Sequence, residues 1–152
     1  MKSPITVRES KSEDIETLVQ FNIALASETE SKHLDPERVT SGVKSLFKKP
    51  EFGFYLVAET ESRVVGSLMI TYEWSDWRNG LFWWIQSVYV LPGYRRRGVY
   101  SAMHKFIRKL AEEHPDACGI RLYVENENRA AQNTYHQLGM KETYYKMFEA
   151  EL

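Results

Sequence analysis

The chain has 152 residues, a formal net charge of -1 and 43% hydrophobic residues, which indicates one domain with a substantial core. The near-neutral charge argues against a general nucleic-acid surface, and no apolar run is long enough to cross a bilayer. With a single cysteine and no signal-peptide pattern at the N-terminus, we expect a cytoplasmic location and no membrane partner.

The first half of the chain predicts one strand, two helices and a hairpin. Alternating residues at 5–9 predict an edge strand, and Ser10 or Ser12 begins a helix with one apolar face. Asp35 followed by Pro36 predicts the start of a second helix, which ends before Pro50. Strands are then expected at 54–59 and 64–74, joined by a tight turn.

The second half predicts a strand, a helix, a strand and a further helix. The turn signal Asn79-Gly80, whose two residues we expect at positive φ, precedes a strand at 81–91, and a helix follows that strand until Pro115. A strand at 119–125 leads to a helix that Asn128 begins and Gly139 closes. One or two strands within 140–152 complete the order βααβββαβαβ, which predicts an α/β or α+β sheet with helices on both faces.

A basic turn lies where the strand at 81–91 meets the following helix. It reads Tyr94-Arg95-Arg96-Arg97-Gly98-Val99-Tyr100. The first turn of a helix presents backbone N–H groups and partial positive charge, so arginines beside it suit a phosphate or pyrophosphate. Gly98 removes a side chain where the ligand would lie closest to the backbone. A solvated surface or a nucleic-acid patch is the alternative for a basic triplet alone.

The basic turn resembles a motif of the GCN5-related N-acetyltransferases, the GNAT family. Arg95-x-x-Gly98-x-Tyr100 looks like the family's Arg/Gln-x-x-Gly-x-Gly/Ala motif, which binds the pyrophosphate of acetyl-CoA. Tyr100 departs from the family's Gly or Ala. A residue in the first turn of a helix has negative φ, which a tyrosine can adopt, but we expect the Tyr100 ring to point away from the ligand.

A second motif carries the same resemblance. The spacing Asn128-x-x-Ala131-x-x-x-Tyr135-x-x-x-Gly139-Met140 matches the family's Asn-x-x-Ala-x-x-x-Tyr-x-x-x-Gly-Phe/Met motif at every named position. The predicted order of elements is also that of the family, so the resemblance covers nearly the whole chain. Two motifs in the right order are far more specific than either alone.

The resemblance implies a fold and a cofactor. It implies a mixed, mostly antiparallel twisted sheet of six to seven strands, with helices on both faces and a splayed parallel strand pair, in one N-acetyltransferase domain over residues 4–152. The cofactor is acetyl-CoA, which serves as the acetyl donor. The implied cofactor-binding residues are Val88, Tyr89, Val90, Arg95, Arg96, Arg97, Gly98, Val99, Tyr100, Ser101, Asn128 and Ala131.

Two residues are candidates for the chemistry. By resemblance, Tyr135 faces the thioester sulfur, and a phenol there can donate a hydrogen bond to the departing thiolate. Glu73, a carboxylate at the end of an apolar strand, is the candidate base for the attacking amine, with a water chain as the alternative. The alternatives are a core tyrosine and a solvated glutamate paired with a cation. No histidine spacing indicates a metal site.

These observations predict an N-acetyltransferase that modifies a primary amine of a small molecule or peptide. The alternative is an acyl-CoA-binding sensor or regulatory module without catalysis, and a nucleic-acid-binding domain is disfavoured by the charge. The four tryptophans could line an acceptor pocket by cation–π contact, fill the core or form a homodimer interface. An acidic connection could attract a cationic acceptor or be a solvated loop; it contains Glu28, Glu30 and Asp35.

Overall fold

The computed structural model describes residues 3–152, with five strands and four α-helices in that range. Contacts divide the chain into two compact units, one running to Leu122 and the other Tyr123–Leu152. The first unit holds β1 (Thr6–Glu9), α1 (Ile15–Glu30), α2 (Pro36–Lys48), β2 (Gly53–Thr60), β3 (Arg63–Ser75), β4 (Gly80–Val90), α3 (Val99–Glu113) and β5 (Ala117–Arg121). The second unit holds α4 (Arg129–Gln137).

The five strands form one mixed sheet in the order β1-β2-β3-β4-β5. The first three pairs of neighbours are antiparallel, and β4 pairs with β5 in parallel. A parallel pair needs a crossover connection, and here α3 supplies it. The chain is therefore a mixed α/β fold.

Two hydrophobic clusters lie on opposite faces of this sheet. Leu56 of β2 packs in a cluster with residues of α3, including Met103. Its neighbour Val57 packs with Leu18 of α1 and Val43 of α2. Because successive side chains of a strand point to opposite faces, α3 covers one face of the sheet, and α1 and α2 cover the other.

The expected helices and the first four strands are present, but the end of the chain differs. β5 spans Ala117–Arg121 instead of 119–125, and no strand is assigned within 140–152. The expected six to seven strands are therefore not confirmed. A strand is defined by backbone pairing with a neighbour, and alternating side chains do not specify that partner. None of the helices in residues 3–152 is long and apolar enough to span a membrane.

The Asn79-Gly80 turn uses its glycine differently from the expectation. Asn79 has a φ of 49°, as expected, but Gly80 is not in the left-handed region. A Cβ on Gly80 would instead lie 2.9 Å from the carbonyl oxygen of Asp116 and from Cβ of Cys118. Gly80 is therefore required by the close approach of β4 to β5, not by the turn conformation.

A charged network joins β1 to the start of α1 and to β2. The Arg8 guanidinium donates to both carboxylate oxygens of Asp14, at 2.8 and 3.0 Å, and to Glu59 at 2.7 Å. The Asp14 carboxylate also accepts the backbone N–H of Lys11 at 2.7 Å. Hydrogen bonds from Arg8 hold the pKa of buried Asp14 below its ordinary value of 3.8.

Replacing Asp14 should therefore destabilise the fold in a pH-dependent way. Asp14→Asn should lower the free energy of unfolding at pH 7 by about 1–3 kcal/mol, because Arg8 loses a charged partner. The stabilisation by Asp14 is present above its ordinary pKa and is lost as pH falls through its lowered folded-state pKa. Urea unfolding should show that the difference in free energy of unfolding between wild type and variant becomes smaller at acidic pH.

The matched control is Glu13→Gln, which removes an exposed neighbouring carboxylate that makes no ion pair within residues 3–152. It should leave the free energy of unfolding nearly unchanged. Equal stabilities of wild type and Asp14→Asn at pH 7 would contradict the assigned role of this network.

Candidate functional site

β4 continues beyond the end of its parallel partner. The last paired residues are Trp84 of β4 and Arg121 of β5, whereas β4 runs on to Val90. Along residues 85–90, one side of β4 therefore has no paired strand among the described residues. Backbone N–H and C=O groups on that side need another partner, which a bound ligand can supply.

A β-bulge turns the backbone of β4 in this same stretch. Tyr89 pairs with Ser67 and Gln86 pairs with Met69, so β4 has one residue more than β3 between these pairs. Ser87 has a φ of 52°, which is rare for a residue with a side chain. Bulges of this kind re-aim backbone groups and often lie beside active sites.

The pairing with β3 decides which backbone groups of β4 face the gap. The N–H of Leu91 donates to the Val65 carbonyl of β3 at 2.9 Å. Since the groups of successive strand residues point to opposite sides, those of Val90 and Val88 point away from β3, and those of Tyr89 point toward it. Of the three strand residues predicted to bind the cofactor, only Val88 and Val90 present backbone groups to the gap.

The turn after β4 combines two left-handed residues with a helix start. Arg96 has a φ of 62° and Gly98 a φ of 81°, and Gly98 immediately precedes α3. The hydrogen-bond ladder of α3 begins with the N–H of Ala102, which donates to the Gly98 carbonyl at 3.0 Å. A Cβ on Gly98 would meet no atom within 4 Å, so the space above it is open. Such a turn concentrates backbone N–H groups and suits an anion.

The three arginines of the basic turn have different surroundings. Arg95 donates to Glu28 at 2.7 Å through Nη2 and to the Val90 carbonyl at 2.8 Å through Nε. The Arg97 guanidinium lies 5.3 Å from the centre of the Tyr94 ring. Within residues 3–152, neither Arg96 nor Arg97 forms an ion pair. The charge of the turn that is not already neutralised therefore belongs to Arg96 and Arg97.

The Tyr100 side chain lies along α3. Its hydroxyl shares a hydrogen bond with Nδ1 of His104, one helical turn further on, at 3.1 Å. His104 is buried, and this burial lowers its pKa, so the imidazole is neutral at pH 7. The ring also packs against the cluster on the α3 face. Tyrosine is therefore accommodated at the helix start by contacts within α3 and the core.

The second motif lies in the second unit, on α4. The Asn128 side chain accepts the backbone N–H of Ala131 at 3.2 Å and so caps the helix. Gly139, with a φ of 89°, follows its end, and the N–H of Met140 returns to the Tyr135 carbonyl at 3.0 Å. Burial raises the pKa of the Tyr135 phenol above its ordinary value of 10.0. At neutral pH Tyr135 is therefore a hydrogen-bond donor.

Glu73 lies at a different part of the sheet from the basic turn. It pairs with Phe82, whereas Tyr89 pairs with Ser67, about 20 Å away along β3. Its Oε1 accepts from Arg121 at 2.6 Å and from the indole N–H of Trp84 at 3.2 Å. The structure therefore does not bring Glu73 next to Val88 and Val90, and it pairs the carboxylate with a cation.

The four tryptophans do not share one environment. Trp83 is buried between Phe54 and Tyr72, with ring centres 5.7 and 5.8 Å away. Trp84 is half-buried, while Trp74 and Trp77 are 59% and 88% exposed near the hairpin between β3 and β4. Trp83 is thus a core residue. The exposure of Trp74 and Trp77 suits either an acceptor pocket or a homodimer interface.

Two features of the site had no signal in the sequence. Glu28 falls within α1 instead of the acidic connection, and it contacts Arg95 across 67 positions of the chain. Ser87 adopts a left-handed conformation that usually requires glycine or asparagine. By contrast, the sequence could have predicted that Trp84 lies beside Glu73. Side chains alternate between the two faces of a strand, and paired strands share their faces.

Comparisons with known proteins found one family model and several similar structures. A family model described as the acetyltransferase (GNAT) family matches residues 18–140. The crystal structure of a possible acetyltransferase from Clostridium difficile 630 is 45% identical, with a TM-score of 0.89 and 97% of each chain covered. No curated protein matches the chain in sequence.

More distant structures share the fold alone. A predicted acetyltransferase from Clostridium acetobutylicum, solved with acetyl-CoA, is 17% identical, with a TM-score of 0.78, covering 97% of this chain and 96% of that one. AAC(6')-Iy, in complex with the bisubstrate analogue CoA-S-monomethyl-acetylneamine, is 14% identical, with a TM-score of 0.78 and 99% of each chain covered.

Proposed function

Because the chain belongs to the acetyltransferase (GNAT) family, we propose that it is an acetyl-CoA-dependent N-acetyltransferase acting on a primary amine of a small molecule or peptide. The observation that carries this proposal is the turn at the open end of β4, where left-handed Arg96 and Gly98 lead into the first turn of α3. We further propose that residues 4–152 act as one N-acetyltransferase domain, and that the enzyme is cytoplasmic, as its single cysteine suggests.

The reaction is a direct acyl transfer. The lone pair of a neutral amine attacks the thioester carbonyl carbon, and the carbon–sulfur bond breaks. The products are the N-acetylated amine and CoA with a free thiol. One proton must leave the nitrogen, and one must reach the sulfur, so the protein needs a proton acceptor and a hydrogen-bond donor.

The basic turn and β4 would hold the cofactor. The amides of Gly98, Val99 and Ser101 would bind the pyrophosphate at the start of α3, with charge from Arg96 and Arg97. The N–H and C=O of Val88 and the N–H of Val90 would pair with the pantetheine, since the Val90 carbonyl already accepts from Arg95. This arrangement suits acetyl-CoA because the basic turn would attract its phosphates, and the backbone of β4 would form hydrogen bonds with the amides of its extended pantetheine chain.

The second motif carries the other residues that we propose contact the cofactor. Oδ1 of Asn128 already caps α4, so its Nδ2 donors are the groups that we propose contact the cofactor. Ala131, one turn later, presents only a methyl group and allows a close approach. Tyr135 would donate to the sulfur as the carbon–sulfur bond breaks, and its raised pKa keeps the phenol protonated through neutral pH.

Glu73 remains the proposed proton acceptor, acting through water. Direct abstraction requires about 3 Å between base and proton donor, which its separation from Val88 and Val90 does not allow. Its Oε1 already accepts two hydrogen bonds, so the exchange would use the other carboxylate oxygen. The alternative of an acyl-CoA-binding sensor is less favoured, because a sensor has no use for a protonated phenol at the position of Tyr135.

The first test concerns the turn. Gly98→Val should weaken acetyl-CoA binding strongly, because a branched side chain at φ 81° is strained and occupies the open space above the amides. Gly93→Val is the matched control, since Gly93 also has open space but lies outside the left-handed region. Calorimetry should show a loss of affinity for Gly98→Val alone, with thermal melts confirming that both variants fold. Unchanged affinity of Gly98→Val would contradict the proposal that the pyrophosphate binds at this turn.

The second test concerns Tyr135. Tyr135→Phe removes one donor and little volume, so acetyl-CoA affinity should survive while turnover falls about a hundredfold to a thousandfold. Tyr55→Phe is the control, because it removes the hydroxyl of a buried tyrosine that packs with α1 and α2. Release of free thiol in the presence of an amine panel gives the rate. Equal turnover of Tyr135→Phe and wild type would show that another group protonates the sulfur.

The raised pKa of Tyr135 adds a pH dependence. A donor must be protonated, so ionisation of this phenol should reduce turnover only above pH 10. This alkaline decline should be absent from Tyr135→Phe. A decline that persists in the variant would belong to a different group.

A further inference from the structure

Glu28 joins the end of α1 to the turn that follows β4. Its Oε2 accepts from Arg95 at 2.7 Å, and its Oε1 accepts from the Tyr89 hydroxyl at 2.9 Å. Both carboxylate oxygens are therefore engaged, one by the basic turn and one by β4. Hydrogen bonding from Arg95 keeps the pKa of Glu28 below its ordinary value of 4.5, so it is charged at neutral pH.

Arg95 makes three contacts that together define its position. Besides the ion pair with Glu28, its Nε donates to the Val90 carbonyl at 2.8 Å, and its guanidinium lies 5.4 Å from the centre of the Tyr89 ring. Tyr89 is buried and packs against Phe21 of α1, with ring centres 5.1 Å apart. The guanidinium is partly exposed, but it packs against a buried ring that is itself held by α1.

These contacts assign different tasks to the neighbouring arginines. The Arg95 charge is neutralised by Glu28, and one of its donors is used by Val90. Arg96 and Arg97 have no carboxylate partner within residues 3–152. A phosphate ligand needs charge that is not already spent on another group. Arg95 is therefore better placed to hold the turn than to bind the ligand.

We propose that Glu28 is a positioning residue for cofactor binding, which holds the start of the basic turn in its anion-binding shape through Arg95 and Tyr89. This inference rests on the proposed function, because it assumes that the turn binds acetyl-CoA. It also links two regions: the end of α1, with the connection that follows it, is fastened to the turn. Occupancy of the turn and the position of that connection should therefore depend on each other.

Glu28→Gln separates this role from direct phosphate binding by Arg95. If Glu28 positions the turn, the variant should bind acetyl-CoA roughly three- to tenfold more weakly, as expected for losing a partly exposed ion pair and weakening a charged hydrogen bond. If Arg95 is itself a phosphate ligand, releasing it from Glu28 should strengthen binding instead. The two roles thus predict effects of opposite sign, measured by calorimetry with acetyl-CoA.

A double-mutant cycle and a control sharpen the result. Arg95→Gln should weaken binding at least as much as Glu28→Gln, because it also removes the donor to the Val90 carbonyl. The double variant should be no weaker than Arg95→Gln, because the ion pair is already lost in that variant. The control is Glu30→Gln, at the same helix end, whose carboxylate contacts only exposed Lys32 at 3.8 Å. It should leave affinity unchanged. Melting temperatures of all variants should lie close to that of wild type.

Hydrogen exchange keeps the inference testable without any ligand. Amides of residues 91 and 93–98 in unliganded Glu28→Gln should exchange faster than in wild type and in Glu30→Gln. Wild type that fails to bind acetyl-CoA would overturn the proposed function, while faster exchange would still support the positioning of the turn. The role of Glu28 would be overturned if hydrogen exchange in Glu28→Gln is unchanged. It would also be overturned if this variant binds acetyl-CoA as tightly as wild type or more tightly.

Discussion

In the first unit, the candidate site depends on one constraint, which is that β4 has no parallel partner after Trp84. A strand that leaves its neighbour exposes a row of N–H and C=O groups that must be paired by something else. Here the stretch is also bent by a bulge at Ser87, so Val88 and Val90 turn their groups toward the gap. The opening comes directly before the basic turn, so an elongated ligand with an anionic end meets both features in succession.

The electrostatics of the turn follow from which charges are already paired. Glu28 neutralises Arg95, and Arg96 and Arg97 retain their charge beside the first amides of α3. A single sequence of three arginines thus contains one structural residue and two candidates for phosphate binding. Glu73 illustrates the same point for an acid, because Arg121 and Trp84 already occupy its Oε1 and leave its other carboxylate oxygen for proton exchange. In both places the partner of a charged group determines its available chemistry.

Much of the architecture could be predicted from the local pattern. The cap at Asp35, the cap at Asn128 and the left-handed Gly139 are set by short-range hydrogen bonds and backbone sterics, which sequence expresses directly. The strands within 140–152 are not confirmed, and β5 is displaced toward the N-terminus. Strands depend on a partner chosen by the whole sheet, so their number and ends are the features that a local pattern constrains least.

By itself, the sequence determined the order of elements as far as α4, the basic turn and the two motifs of the family, because each is encoded by residues a few positions apart. Tertiary structure alone decided that Glu28 reaches Arg95, that Ser87 takes a left-handed conformation, and that Glu73 lies far along the sheet from Val88. These three facts depend on strand register and on the packing of α1 against β4. Register and packing bring together residues that are distant in the chain, and no local spacing records which of them will meet.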